Sequence, residues 1–173
     1  GMNAEAVRQL VLEQTAAKYR RREIEYPVEF AMSMAYGPQG PSVYGFEALA
    51  DWANRKYNAG LTVERIQNEK PREIHQELLA LSERYNDGRL DEEVNEKVAT
   101  LDRAQLAAWA GQRFGVPLGE DELGDGEDVR RRLTEVGREY FRAELADLER
   151  YVLLQVYDST WKDHLYAMDH LKD

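Results

Sequence analysis

The chain has no cysteine and only 5 prolines among its 173 residues. The absence of cysteine excludes disulfide bonds, a thiolate nucleophile and a cysteine-based zinc site. No apolar run approaches the roughly 20 residues that a membrane-spanning helix requires. The chain is rich in Ala, Leu, Glu and Arg, a composition typical of a helical protein with a modest core and a heavily solvated surface.

Basic residues are also fewer than acidic ones. Lys and Arg number 23 against 33 Asp and Glu, so the formal net charge is -10. The average field of such a chain repels a phosphate backbone, and we therefore expect no nucleic-acid partner. Two short basic runs, Arg20–Arg22 and Arg130–Arg132, are typical of solvated helix faces. Contact of these runs with acidic lipid or with another domain is the alternative interpretation.

No segment alternates between apolar and polar residues with a period of two, so the sequence predicts an all-α fold. Pro27 discourages continuation of the first helix, and the Gly- and Pro-rich stretch 37–45 indicates a loop. Asp102, followed by Gln105, is typical of a capping box. The predicted helices span residues 3–25, 46–59, 62–69, 71–85, 91–101 and 102–114.

Two of these helices have candidate N-caps, Asn3 and Asp91. Apolar residues recur at helical spacing in the second and fourth helices, so we expect Tyr57 and Tyr85 to face inward. The run Asn86-Asp87-Gly88 is expected to end the fourth helix.

The stretch 115–128 is rich in glycine and acidic residues and is the strongest candidate for a domain boundary. No proline follows it, and Gly137 is the only weak point in a helical pattern of about 45 residues, or roughly 65–70 Å. We therefore expect a compact helical unit over residues 1–125, followed by a long helix over 126–173.

The last part of this helix carries an apolar stripe with spacings of three, four, four, three and three residues. Its members are Leu154, Tyr157, Trp161, Leu165, Met168 and Leu171. Burial of such side chains stabilises a protein by roughly 1.5–3 kcal/mol each, so we expect the stripe to pack against a partner domain. The alternative is an ordinary core helix that folds back on residues 1–125.

Polar residues accompany the stripe, and Asp158 and Lys162 have the spacing of a helical ion pair. We expect polar contacts with other domains from Asp158, Lys162, Asp163, His164 and Asp169. Neither glycine nor proline follows Leu171, and we therefore expect the sequence to be part of a longer protein.

The residues themselves resemble a known family. Residues 153–173, LLQVYDSTWKDHLYAMDHLKD, are similar to a segment of the SecA preprotein translocase ATPases. The positions that match the family pattern are Leu153, Leu154, Gln155, Asp158, Trp161, His164, Leu165, Met168, Asp169, Leu171 and Lys172. Residues 106–118 resemble the helical wing of the same family, whereas residues 1–100 match poorly.

The resemblance implies that residues 126–173 belong to the helical scaffold domain and that residues 1–125 are wing-like. In the family the scaffold packs against the motor domains and the preprotein cross-linking domain, and a two-helix finger at the SecYEG channel follows it. The chain stops before that finger. The implied function is that of a scaffold and wing fragment of an ATP-driven protein-export motor, cytoplasmic and peripheral at the inner face of the plasma membrane.

No catalytic residue, cofactor site or metal site is expected within this fragment, because in the family ATP and Mg²⁺ are bound by other domains. The glycine cluster 37–45 has no lysine with which to bind phosphates. Asp163, His164, Asp169 and His170 lack the His-Glu-x-x-His arrangement of a zinc site. Two alternatives stay open, a stand-alone helical adaptor and a metal-dependent hydrolase. An exposed stripe would also permit self-association.

Overall fold

A computed structural model describes residues 3–171 of the chain. This part contains eight α-helices and no β-strand, and the predicted all-α fold class is confirmed. The helices are α1 (Ala4–Tyr36), α2 (Val43–Tyr57), α3 (Val63–Asn68), α4 (Pro71–Arg84), α5 (Leu90–Thr100), α6 (Arg103–Phe114), α7 (Glu127–Phe141) and α8 (Ala143–His170). None of the described helices is long and apolar enough to span a bilayer.

Several helix starts follow the capping residues that the sequence predicts. The side chain of Asn3 accepts a hydrogen bond from Ala6 N at 2.8 Å and begins α1. Asp102 and Gln105 form the predicted capping box, with the two reciprocal bonds at 2.9 and 3.0 Å. Pro71 occupies the first turn of α4. Proline is tolerated there because backbone N–H groups in the first turn have no acceptor within the helix.

The predicted end of the first helix near Glu25 is wrong, because α1 continues through Pro27 to Tyr36. Pro27 is buried, as are Val28, Ala31 and Ala35 in the following turns. Interior proline costs a helix about 3 kcal/mol. Burial of these residues in the core offsets that local cost.

Two further boundaries differ from the prediction. The loop after α1 is shorter than 37–45, since Ser42 caps α2 and Gly45 lies within that helix. Asp91 does not cap α5, which begins one residue earlier after a turn at Asp87 and Gly88, where Gly88 has a φ of 114°. The preceding helix ends before this glycine as predicted, but Asp91 lies in the first turn of α5.

The helices surround two apolar cores. The first is formed by α1, α2, α3 and α4, together with Leu61. The second is formed by α5, α6, α7 and a 3₁₀ turn at Glu120–Leu123. Tyr85 and Phe141 pack against both cores, and their ring centroids lie 4.6 Å apart.

The Gly- and acid-rich stretch 115–128 contributes to the second core. Leu123 is fully buried there with Leu133 and Val136 of α7 and with Phe114 of α6. Side chains on either side of residue 125 therefore share one core. The division of the chain at residue 125 stays a prediction.

The predicted uninterrupted helix from Glu127 onwards is wrong, because the helix is interrupted at Arg142, whose φ of −94° and ψ of 0° differ from regular α-helical values. Beyond this interruption, α8 leaves the cores, and every residue from 151 to 171 is exposed. Residues 3–22 at the start of α1 are exposed as well. Two helices, rather than one, thus extend beyond the packed part of the chain.

Candidate functional site

The apolar stripe predicted at the end of the chain lies on α8, with Leu171 immediately after the helix end. All its members are exposed, with exposed fractions between 44% for Leu165 and 86% for Leu171. The structure therefore aligns these residues along one helix face without covering them. Large aromatic and aliphatic side chains left in water at this density are typical of a protein interaction site.

The apolar surface of α8 is wider than the predicted stripe. A shallow groove runs along one side of the helix, lined by Leu153, Val156, Tyr157, Thr160, Trp161 and His164. Tyr151 and Val152 are exposed on the preceding turn. The run of consecutive apolar residues from Tyr151 to Leu154 is the sequence signal for this width, because no helix can place such a run on one face.

The polar residues of α8 are partly engaged with one another. Lys162 Nζ lies 2.9 Å from Asp158 Oδ2, which confirms the predicted ion pair, and this hydrogen bond raises the pKa of Lys162. The ring of His164 lies beside that of Trp161, tilted by 36° with ring centroids 5.8 Å apart. Asp163 and Asp169 are exposed. Contacts of these polar residues with other domains stay predictions.

Within residues 3–171, no group of three or more His, Asp or Glu side chains is placed to hold a metal ion. Near the end of α8, Asp163 and His170 are seven residues apart and share a helix face, whereas His164 and His170 are six residues apart and diverge. The metal-dependent hydrolase interpretation therefore has no ligand set in the described part of the chain.

The first turn of α8 is attached to α2 by a buried ion pair. Glu144 Oε1 accepts hydrogen bonds from Lys56 Nζ at 2.7 Å and from Trp52 Nε1 at 2.9 Å. Lys56 also donates to Tyr140 O at 3.0 Å, and its side chain is only 2% exposed. Burial lowers the pKa of the Lys56 ammonium, and the adjacent Glu144 carboxylate opposes this shift. Removal of either charge would leave the other buried and unpaired.

A second attachment connects α8 to α1 through Arg142. Arg142 Nε donates to Glu23 Oε1 at 2.8 Å, and its guanidinium also contacts the Tyr19 hydroxyl. On the α8 side, Arg142 lies 3.7 Å from Glu149, which in turn accepts a hydrogen bond from Tyr19 at 3.2 Å. The pKa of Tyr19 is raised, mainly because the contacts of its hydroxyl partly exclude water, and the Arg142 cation opposes this shift.

Local sequence patterns did not predict these two attachments of the first turns of α8. Lys56 and Glu144 are 88 residues apart, and Arg142 and Glu23 are 119 residues apart. Neither pair has a helical spacing, and a lysine among charged neighbours ordinarily predicts an exposed position. The exposed stripe was predictable from periodicity, whereas its anchorage depends on tertiary structure.

The chain is similar in sequence to a known protein family and to several of its members. A family model described as the SecA Wing and Scaffold domain matches residues 6–173. The chain is 27% identical to the protein translocase subunit SecA 1 of Rhodopirellula baltica over 90% of its own length, which is 14% of that protein. It is 41% identical over 63 residues to SecA of Neisseria meningitidis and 47% identical over 47 residues to SecA of Bifidobacterium longum.

The last two matches cover 32% and 27% of the chain, and 7% and 5% of those proteins. The chain therefore spans a small part of the curated relatives that it matches. No solved structure matches it significantly. Because the family model covers nearly the whole chain, the chain belongs to the SecA wing and scaffold domain family.

Proposed function

We propose that the chain is the wing and scaffold portion of an ATP-driven protein-export motor. In this role the exposed surface of α8 packs against the motor and preprotein-binding domains of the same polypeptide. The observation that carries the proposal is the exposure of Tyr157, Trp161 and Leu165 on a helix that leaves both cores. Each such side chain contributes roughly 1.5–3 kcal/mol when it is buried.

The width of the apolar surface supports contacts on more than one side of α8. Leu153 and Val156 widen the stripe on one side, and Tyr166 is exposed further along the helix. A helix that is apolar around most of its circumference is typically surrounded by protein. The scaffold helix would then lie between domains, with Asp163 and Asp169 forming polar contacts at its edges.

The anchored base of α8 supports a mechanical role. Lys56, Trp52 and Arg142 hold the first two turns of the helix against α2 and α1. A helix fixed at one end transmits a displacement applied at the other, as packed helices do when domains rotate. Movement of the motor domains would thus reach the preprotein and the SecYEG channel through α8.

We assign residues 126–173 to the scaffold and the preceding helices to the wing, and α1 lies beside the start of α8 through Glu23 and Tyr19. ATP and Mg²⁺ would bind in the remainder of the polypeptide, since the chain spans only 14% of the R. baltica protein. The complete motor would be cytoplasmic and peripheral at the inner face of the plasma membrane.

The test uses the complete polypeptide encoded by the gene. Its reading frame must contain a nucleotide-binding motif before this chain and the two-helix finger after it. In that protein, Tyr157→Ser should lower preprotein-stimulated ATP hydrolysis about tenfold, because a loss of about 1.4 kcal/mol in domain packing is a tenfold loss in coupling. Translocation into inverted membrane vesicles should fall in parallel.

Tyr44→Ser is the matched control. Tyr44 is 84% exposed on α2 and Tyr157 is 78% exposed on α8, so the two substitutions remove the same side chain from equally open positions. Equal activity of both variants would contradict the proposal. A reading frame without a nucleotide-binding motif would instead favour the stand-alone helical adaptor.

A further inference from the structure

The sequence around the junction of α7 and α8 favours an uninterrupted helix. Residues 138–148, REYFRAELADL, contain neither glycine nor proline, and Ala, Leu, Arg and Glu are strong helix formers. Nevertheless the helix is interrupted at Arg142, whose backbone stays in the right-handed helical region but has a ψ of 0° instead of about −42°. Sharp helix interruptions have identifiable causes, and one of them is a side chain inserted into the hydrogen-bond ladder.

Lys56 is such an inserted side chain. Its ammonium donates to Tyr140 O at 3.0 Å. In an uninterrupted helix the carbonyl of Tyr140 would accept from the backbone N–H of Glu144. The lysine therefore offers this carbonyl a charged donor from another helix, and a charged donor forms a stronger bond than a neutral amide.

Glu144 reinforces the interruption from the opposite side. Its carboxylate pairs with the same ammonium and accepts from Trp52. The acidic side chain also lies in the first turn of α8, where the helix dipole favours negative charge. Lys56 thus contacts both the last turn of α7 and the first turn of α8.

The side chain of Arg142, the residue at the interruption, is held by ion pairs with two helices. Its guanidinium contacts Glu23 of α1 and Glu149 of α8. The position of this side chain depends on the local backbone, and rotation into regular helical geometry would reorient it relative to Glu23. Local propensity therefore favours a continuous helix from α7 to α8, whereas the long-range contacts of Lys56 and Arg142 favour the interrupted one.

We propose that the α7–α8 junction is a conformational joint, which Lys56 and Glu144 hold in the interrupted state and whose release joins α7 and α8 into one continuous helix. Straightening the joint would redirect the apolar surface of α8 relative to the two cores. Packed elements with two discrete arrangements are the usual basis of such transitions. The joint is a property of this chain alone and does not depend on the proposed role in protein export.

The absence of cysteine in the chain makes the test direct, because spin labels attach only to introduced cysteines. Arg131→Cys on α7 and Ser159→Cys on α8 place labels at exposed positions on either side of the break. A continuous helix would separate their Cα atoms by about 42 Å at 1.5 Å per residue. We expect a shorter distance in the interrupted state, and double electron–electron resonance would then separate the two populations.

In the unmodified background we expect a main population at the shorter distance. Lys56→Met together with Glu144→Gln removes both charges and keeps side-chain volumes similar. This double variant should raise the population near 42 Å about tenfold, since in the proposed joint these charge-assisted bonds favour the interrupted state. Circular dichroism should show equal or greater helix content.

Arg65→Met with Glu77→Gln is the matched control. This pair, 2.6 Å apart between α3 and α4, has the same charges but does not contact the junction. It should leave the distance distribution unchanged. Arg142→Ala provides an independent variant at a partly exposed position: it removes the contacts with Glu23 and Glu149 and introduces the best helix former, and should also raise the long-distance population.

The two variants are read together. If the Lys56 and Glu144 double variant does not fold, Arg142→Ala decides the outcome. Distance distributions identical to those of the unmodified protein, or broadened without a component near 42 Å, would overturn the proposed joint. Loss of translocation without any change of distance would concern the proposed function and not the joint.

Discussion

Single residues determine how closely the helices of the first core approach one another. Gly45 lies in α2 where that helix meets α1, and a Cβ at this position would be 2.4 Å from Met34 O and 3.1 Å from Ala35 Cα. The obstructing atoms belong to backbone and cannot rotate away. The composition of the surrounding segment suggests a flexible loop, yet this glycine serves close packing.

Gly45→Ala should therefore destabilise the protein by about 2 kcal/mol, although alanine is favoured over glycine in a helix by about 1 kcal/mol. Urea unfolding followed by circular dichroism measures the difference. Gly111→Ala in α6 is the control, because its added methyl group would meet Val116 O at 3.3 Å and nothing closer. If Gly45→Ala is as stable as the control, α1 can move away from α2 without a loss in the free energy of unfolding, and the prediction fails.

The buried charges mark the limit of residue-level prediction. Arg113 donates to Glu93 at 2.7 Å and to the Lys56 carbonyl at 3.0 Å, in the same region as the pair between Lys56 and Glu144. In sequence these residues are indistinguishable from the many exposed charges of the chain. Their burial follows from the meeting of α2, α5, α6 and α8, which no local pattern encodes.

Among the helices, prediction was accurate where local chemistry governs and inaccurate where packing does. The caps at Asn3 and Asp102 are side-chain bonds within three residues, and both are confirmed. The continuation through Pro27 and the interruption at Arg142 both contradict local propensity. In the first case burial overcomes a helix breaker, and in the second a buried ion pair interrupts good helix formers.

The exposed halves of α1 and α8 are helices with little tertiary support. Residues 3–22 and 151–171 are exposed throughout. Isolated helices of about this length are only marginally stable in water, since packing supplies most of the stability of helices in proteins. These segments should therefore open locally far more often than α2 or α4.

Hydrogen exchange followed by mass spectrometry should detect this difference in the isolated chain. We expect amides of residues 152–170 to exchange at least about a hundredfold faster than those of α2, whose inner face lies in the first core. Protection that increases with protein concentration would indicate self-association through the apolar surface. Equal protection of both segments at every concentration would contradict the isolation of α8 from the cores.

At the scale of the whole molecule, an aromatic cluster connects the two cores. Phe141 stacks on Tyr85 at 4.6 Å and on Tyr57 at 6.0 Å between ring centroids, and Tyr140 lies 5.4 Å from Phe141. The apolar stripes on α2 and α4 predicted that Tyr57 and Tyr85 face inward. The sequence did not predict that residues of α7 would complete the cluster, because that contact joins segments distant in the chain.

Burial raises the pKa of Tyr57, Tyr85 and Tyr140 above the ordinary value of 10.0. The folded state therefore retains protons that the unfolded state releases. The stabilising contribution is complete below pH 10 and is lost as pH rises above that value. Each such group changes the free energy of unfolding by up to about 1.4 kcal/mol per pH unit.

Thermal unfolding between pH 7 and pH 11 should show a steep loss of stability above pH 10, and Tyr57→Phe should make that loss shallower by up to about 1.4 kcal/mol per pH unit. The contribution of Lys56, whose pKa is lowered by burial, is common to both proteins and cancels in their difference. Between pH 7 and pH 9 the difference in stability should be constant, because the tyrosines are protonated in both states. A constant difference across the whole range would mean that Tyr57 ionises in the folded protein as readily as in the unfolded chain, and that the aromatic cluster between the cores is open to water.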